Sequence, residues 1–274
     1  MSKQIPFYKM VASGNDFIVI DNRKKTVKDP VALTRKICAL HTGVGADGVL
    51  LFENSRKADF KMRIINSDGS EAEACGNGFR CIALYAREKM GYPMEFKFES
   101  LSGLIEAKVA KKGRVKVQLV QPSGIKLREE IHVKGHRLHY SFLNTGVPHA
   151  VIFVEGLEKI DVAGLGSAIR YHDHFKPKGT NVNFVEVASN RLIHVRTYER
   201  GVENETLACG TGSTASALAS ALLGYTRPPV QVKTSGGEIL TVDFQREGSK
   251  ITSVTLEGEV RFVYEGKLMN GEKK

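Results

Sequence analysis

Two cysteines offer the most direct chemistry in this sequence. Cys75 stands in Ala74-Cys75-Gly76-Asn77-Gly78 and Cys209 in Ala208-Cys209-Gly210-Thr211-Gly212, 134 positions apart in a chain of 274 residues. Each follows an acidic stretch (Glu71-Ala72-Glu73 or Glu203-Asn204-Glu205), and each opens a segment that reads as a helix. Glycines at such a start let a ligand approach the backbone closely. The first-turn N–H groups have no intrahelical partner, and with the helix dipole they cradle a carboxylate or phosphate. The same positive end favours thiolate and draws a cysteine below its ordinary pKa of about 8.5. If the two halves face each other, a thiolate on one side of a carbon removes a proton while a thiol on the other side returns one. That is two-base epimerisation at an acidic C–H, with the helix ends stabilising the enolate-like charge. No Lys-centred pyridoxal motif accompanies the cysteines, so no cofactor is expected. Cys81 falls about 240° around a helix from Cys75 and reads as packing, as does Cys38 near a helix end.

The elements that must position these boxes follow from capping and periodicity. Asp29-Pro30 caps a helix over Pro30–Leu40, and a helix over Gly76–Met90 is stopped by Gly91-Tyr92-Pro93. Two more helices are expected over Asp161–Tyr171 and Gly210–Leu223. The last is small and nearly apolar all round, which suits burial inside a curled sheet. In the first half, strands are expected at Phe17–Asp21, a short apolar run, at Val49–Glu53 and Asp59–Asn66, and at Phe96–Glu99, Leu104–Ala110 and Val115–Leu119, which alternate at period two. The second half repeats this order with Leu138–Leu143, Ala150–Glu155, Val182–Val187, Leu192–Glu199, Val230–Thr234 and Ile239–Gln245. Ile251–Tyr264 is long enough for two strands. Strands outnumber helices and run in consecutive groups, which predicts an α+β fold with antiparallel sheets and not a doubly wound one. Gln121-Pro122-Ser123-Gly124 reads as a linker, and the matched cysteine boxes read as an internal duplication.

Composition excludes several classes. With 42% apolar residues, 27 Gly and four Cys, the chain is neither collagen-like nor disordered nor a disulfide scaffold. Its apolar runs fall far short of the ~20 residues that span a bilayer. The start, MSKQIPFYKM, lacks a signal-peptide core, so a cytoplasmic protein without membrane contact is expected. The net charge of +10 comes from clusters at Arg23–Lys25, Lys108–Lys116 and Lys126–Arg137, none interleaved with stacking aromatics, which reads as solvated surface and not nucleic-acid binding. Gly43-Val44-Gly45-Ala46-Asp47-Gly48 matches G-x-G-x-x-G, but a helix precedes it and a strand follows, the reverse of a dinucleotide fingerprint. His172 and His174, or His132, His136 and His139, form no complete ligand set, and no metal is expected. Glu199-Arg200 is compatible equally with a surface ion pair and with a site, and His149 beside Pro148 is unremarkable alone.

Taken together, Lys9-Met10, Gly14-Asn15-Asp16-Phe17, Asn66-Ser67-Asp68-Gly69-Ser70, the Cys75 box and Arg80-Cys81 resemble the first half of the diaminopimelate epimerase family. Thr145-Gly146, Pro148-His149, Asn181, Tyr198-Glu199-Arg200-Gly201 and the Cys209 box resemble its second half, in order and spacing. The resemblance implies pyridoxal-independent interconversion of LL- and meso-diaminopimelate in lysine and peptidoglycan synthesis. It implies two pseudo-symmetric, strand-rich, barrel-like α+β domains, each wrapped around a central helix, with the active site in the cleft between them. The domains are expected at residues 1–121 plus about 262–274, and 122–261. By position, Cys75 and Cys209 match the acid/base pair, and His149 and Glu199 match residues that support catalysis. Gly76, Asn77, Gly210 and Thr211 match helix-end binders of the reacting carboxylate. Asn15, Asn66, Asn181, Glu199 and Arg200 match contacts to the amino and carboxylate groups, with Arg200 suited to a bidentate clamp. Tyr264 matches a tyrosine at a homodimer interface.

The sequence departs from the family pattern at Ala12, Gly48 and Val147, where glycine, a polar residue and a substrate-binding asparagine are usual. Two alternatives accompany the epimerase reading. A proline racemase-like enzyme usually carries Cys-Gly-His where Cys75-Gly76-Asn77 stands. A non-enzymatic thiol or anion-binding protein would use the same helix starts, but no C-x-x-C is present.

Overall fold

Alternating apolar positions make most of this chain strand, and the computed structural model describes residues 4–248 and 250–269. The chain forms two compact units. The first runs up to Val117 and resumes at Glu259, and the second is Gln118–Gly258. The first unit contains β1 (Ile5–Ala12), β2 (Asn15–Asp21), α1 (Pro30–Cys38), β3 (Gly48–Glu53), β4 (Phe60–Asn66), β5 (Glu71–Ala72), α2 (Gly76–Met90), β6 (Glu95–Ser100), β7 (Gly103–Val109) and β8 (Arg114–Gln118). The second contains β9 (Ser123–Val133), β10 (His136–Asn144), β11 (Pro148–Phe153), α3 (Val162–Arg170), β12 (Asn181–Ser189), β13 (Leu192–Glu199), β14 (Asn204–Thr206), α4 (Gly210–Leu222), β15 (Val230–Thr234), β16 (Ile239–Glu247) and β17 (Lys250–Glu259). β18 (Arg261–Leu268) then returns to the first unit and pairs antiparallel with β1.

The duplication extends to topology. In the first unit β1–β2 is antiparallel, β2–β3 parallel, β3–β4 antiparallel, β4–β6 parallel, and β6–β7–β8 antiparallel. In the second unit β10–β11, β11–β12, β12–β13, β13–β15 and β15–β16–β17 repeat the same senses in the same order. Short strands β5 and β14 branch antiparallel from β4 and β13. Each sheet curls about its long helix. α2 packs on β1, β2, β3 and β7, and α4 packs on strands from β10 to β16. Among the described residues the curl stops short of a closed barrel, since no ladder joins the first strand of either sheet to its last.

Helix ends follow local chemistry. The Asp29 carboxylate accepts from the Ala32 N–H at 3.0 Å, and Pro30 occupies the first turn of α1. α1 stops at Cys38 and not at Leu40, because Ala39 leaves helical geometry and the Ile37 carbonyl accepts from the N–H groups of Val44 and Gly45. Gly91, at φ 75°, closes α2 by donating to the Ala86 carbonyl. The helix α3 covers Ala150, Ile152, Val182 and Phe184, and α1 covers Ile18, Ile20, Val49 and Leu51. With α2 or α4 on the opposite face, the central parallel strands are buried on both sides and read as apolar runs without alternation.

Two long strands are not evident from the sequence alone. β1 buries Lys9, which breaks its pattern; the ammonium is held by Asp16 Oδ2 at 2.6 Å and by the Gly45 carbonyl. β9 begins at Ser123-Gly124, so half of the expected linker is strand. Its charged residues Lys126, Arg128 and Glu130 project into solvent from a hairpin with β10.

Candidate active site

Each cysteine caps the helix it opens. Cys75 precedes α2 in an extended conformation, and its Sγ accepts from the Gly78 N–H at 3.5 Å. Cys209 does the same before α4, accepting from the Gly212 N–H at 3.4 Å. Sulfur thus takes up the third N–H of each first turn. The N–H groups of Gly76 and Asn77, and of Gly210 and Thr211, are left without an intrahelical partner at the positive end of each helix. Cys209 is buried and Cys75 partly exposed. Cys38 and Cys81 are buried in the core, and burial pushes the Cys38 thiol up to about 11, as its packing role requires.

In the second unit one sheet face collects the residues expected in the site. Parallel pairing sets His149 beside Asn181, and antiparallel pairing sets Asn183 beside Thr197. Period-two alternation carries Glu199 to that same face. The start of α4 lies against it, since a Cβ on Gly212 would collide with Asn183 Oδ1. Asn181 is buried and largely committed to backbone. Its Nδ2 donates to the Pro148 carbonyl at 2.9 Å and its Oδ1 accepts from the Arg200 N–H at 2.9 Å. It therefore sets where Arg200 departs from the strand. The Arg200 guanidinium donates to the Lys178 carbonyl at 3.1 Å through one Nη. Glu199 is steadied at one oxygen by the Thr206 hydroxyl at 2.9 Å. Thr145 Oγ1 donates to the Thr211 carbonyl at 3.0 Å, tying the β10–β11 turn to the first turn of α4.

His149 is completely buried, with its Nδ1 3.2 Å from Asn183 Nδ2. Burial, reinforced by the positive charge of Arg200, pushes its pKa down to about 3, so the ring is neutral at physiological pH.

In the first unit, a chain of directed hydrogen bonds runs from α2 to the α1–β3 turn. Arg80, which can only donate, reaches Asn77 Oδ1 at 2.9 Å and Ser13 Oγ at 2.5 Å. Asn77 Nδ2 must then donate to Asn15 Oδ1, at 2.5 Å, and Asn15 Nδ2 to Asp47 Oδ2, at 2.8 Å. The amide orientation of Asn15 is therefore fixed from both ends. Asn77 spends its side chain on this relay, so what it offers a ligand is its backbone N–H. Asn66 Nδ2 donates to Ser70 Oγ at 3.0 Å across the turn before the Cys75 box. Asp47 and Asn183 are neighbours of these groups that the residue patterns alone do not single out, whereas Arg80 and Thr145 stand within the matched motifs. No signal in the residue order marks Asp47 or Asn183, because each is brought to its partner by strand pairing and turns. His174 Nε2 lies 2.7 Å from the Tyr140 hydroxyl and packs on Phe175, so that histidine is structural.

The family model described as diaminopimelate epimerase matches residues 7–124 and 141–263. The diaminopimelate epimerase of Aquifex aeolicus is 48% identical over 274 residues, covering 96% of this chain and 97% of its own. That of Hydrogenobaculum sp. is 45% identical, covering 95% and 97%. Among solved structures, a PhzF-family phenazine biosynthesis protein from Bacillus anthracis superposes with a TM-score of 0.74 at 16% identity, covering 98% of this chain and 100% of its own. A probable proline racemase from Agrobacterium radiobacter superposes with a TM-score of 0.73 at 17% identity, covering 97% and 93%. At such identities these two share the fold.

Proposed function

The chain belongs to the diaminopimelate epimerase family, and from that premise we propose that Cys75 and Cys209 are the acid–base pair of its reaction. The enzyme is an isomerase that interconverts LL- and meso-2,6-diaminopimelate, in lysine and peptidoglycan precursor synthesis. Twin cysteine caps on two helices of matched topology carry the assignment of the pair.

The reaction breaks and re-forms one C–H bond with inversion. One cysteine, as thiolate, takes the α proton and becomes a thiol; the other, as thiol, gives its proton to the opposite face and becomes a thiolate. Net charge is unchanged and no redox partner enters. The carbanion spreads into the neighbouring carboxylate, whose oxygens are met by the N–H groups of Gly76, Asn77, Gly210 and Thr211. Helix dipoles stabilise that charge most when it is fully developed, which lowers the barrier more than it tightens ground-state binding.

The remaining expected residues sort by chemistry. The open edge of the Arg200 guanidinium suits the distal carboxylate. Glu199 suits the substrate ammonium, while Asn15 and Asn66 offer amide groups to the distal end. Asn181 acts through the backbone of Arg200. The enzyme is cytoplasmic and no described helix is long and apolar enough to cross a membrane. A homodimer formed through β18 is part of this proposal. In support, Val263 and Tyr264 are exposed there, with Tyr264 packed edge-on against Phe7.

Incubation of the reduced enzyme with LL-diaminopimelate in D₂O tests the function. Deuterium is expected at the α carbon together with meso product, and neither Cys75→Ala nor Cys209→Ala should turn over. Absence of exchange in the wild type would sink the epimerase assignment, and exchange on proline would redirect it to a racemase.

A further inference from the structure

Asn183 lies wholly buried on β12, beneath the first turn of α4, and none of its polar atoms is idle. Thr197 Oγ1 donates to its Oδ1 at 2.9 Å. Its Nδ2 donates to the Ala150 carbonyl at 3.2 Å and lies 3.2 Å from His149 Nδ1. A carbonyl only accepts, so the atom facing Ala150 must be the amide nitrogen. Turning the amide over would set two oxygens against each other at Ala150. The second hydrogen of Nδ2 therefore points at His149 Nδ1, which can only receive it on its lone pair. The proton of the neutral ring is thereby placed on Nε2.

That Nε2 is buried and has no hydrogen-bond partner among the described residues. A buried N–H without an acceptor costs about 1–3 kcal/mol unless a ligand supplies one. Both the Asn183 contact and the Arg200 charge oppose a second proton on the ring. A general base would have to accept a proton at a nitrogen that either already carries one or is occupied by Asn183.

We propose that Asn183 is a positioning residue that fixes His149 as the neutral Nε2–H tautomer, so that His149 serves the site as a hydrogen-bond donor to a substrate carboxylate and not as a base. Only the identity of the acceptor rests on the epimerase assignment; the tautomer does not. Asn183 also touches the turn that carries Cys209, so the donor and the thiol are held by one side chain.

Nitrogen-15 NMR of histidine-labelled enzyme reads the tautomer directly, with the His149 signals assigned by their loss in His149→Gln. In the wild type, Nδ1 should resonate as an unprotonated nitrogen and Nε2 as a protonated one. A protonated Nδ1 overturns the proposal whatever the activity. Asn183→Asp reverses the polarity of the contact, so the proton should move to Nδ1 and kcat should fall by about 100-fold, the loss typical of a removed donor. Gln in place of His149 keeps an N–H near the Nε2 position, and kcat should stay within about tenfold of wild type. His149→Leu should lose about 100-fold or more. If the Gln variant is as inactive as the Leu variant, the donor role is overturned. If the wild type shows the Nε2–H tautomer yet exchanges no α proton of diaminopimelate, the epimerase assignment fails while the pairing of Asn183 with His149 stands.

Discussion

Arg196 and Glu205 are joined by two parallel hydrogen bonds of 2.8 Å, Nε to Oε1 and Nη2 to Oε2. The first unit repeats the arrangement, with Arg63 and Glu71 joined at 2.7 and 2.8 Å through the same atoms. Registers agree as well: Glu71 is paired with Ile65 on β4 and Glu205 with Tyr198 on β13. In both units the glutamate stands four residues before the cysteine, so each fork clamps the short strand from which the chain enters its box. Ser235 Oγ donates to Glu205 Oε1 at 2.6 Å and strengthens the second clamp.

Loosening the Arg196–Glu205 clamp is expected to disturb thiol placement before it unfolds the protein. Glu205→Gln, or Arg196→Lys with its loss of the planar fork, should lower kcat about tenfold and stability by about 1–2 kcal/mol. Steady-state kinetics and urea unfolding check this. Wild-type kcat in both variants would show that this clamp has no bearing on the chemistry.

Serine and alanine separate the two jobs of each cysteine. Serine is a strong N-cap and preserves the bond to the Gly78 or Gly212 N–H, whereas alanine gives up about 1 kcal/mol. Cys75→Ser and Cys209→Ser should therefore melt close to wild type yet lose epimerisation, because an alkoxide is far harder to form than a thiolate. Cys75→Ala and Cys209→Ala should lose both. Equal melting temperatures for Ser and Ala variants would remove the cap from the account.

The third helical residues look alike in sequence but differ in tolerance. A Cβ on Gly78 meets the flexible ends of Leu50 and Met62 at 3.3 Å, and on Gly212 it runs into the pinned amide of Asn183. Gly78→Ala should be near neutral, since the helix-propensity gain of about 1 kcal/mol offsets the crowding. Gly212→Ala should destabilise by about 2 kcal/mol and depress kcat. Calorimetry on the two variants decides, and the reverse order would contradict the packing of Asn183.

Acid exposes the buried histidine. His149 is held down to about 3 by burial and then by Arg200, against about 6.5 when unfolded. Above pH 6.5 both states are neutral and the ring costs nothing. As pH falls below that value the unfolded chain binds a proton that the folded chain refuses, and stability declines until about pH 3. Glu71 and Glu205 act in the same sense lower down. Hydrogen bonds from their arginines hold them below the usual carboxylate range, and that stabilisation is lost as pH falls through their folded values. Between pH 8 and pH 5 the wild type should lose about 2 kcal/mol more than His149→Gln in urea unfolding. Parallel profiles would place the titration elsewhere.

Much of this protein is written in local residue order. Gly after Cys at a helix start, Asp29-Pro30, Gly91 and the small apolar face of α4 each act within a few residues, so the four helices and both cysteine boxes are legible without a fold. The duplication is legible for the same reason, because the boxes repeat as strings. What the string does not carry is set by partners far away in sequence. β1 is hidden because Lys9 is buried on an ion pair with Asp16, and β9 is hidden because its basic side chains form the wet face of a hairpin. The orientation of Asn15 depends on Arg80 and Asp47, 65 positions and 32 positions away. The tautomer of His149 depends on Asn183, 34 positions away, which no pattern marks. Residue types announce which groups can do proton chemistry; sheet register decides which atom of each group is still available to do it.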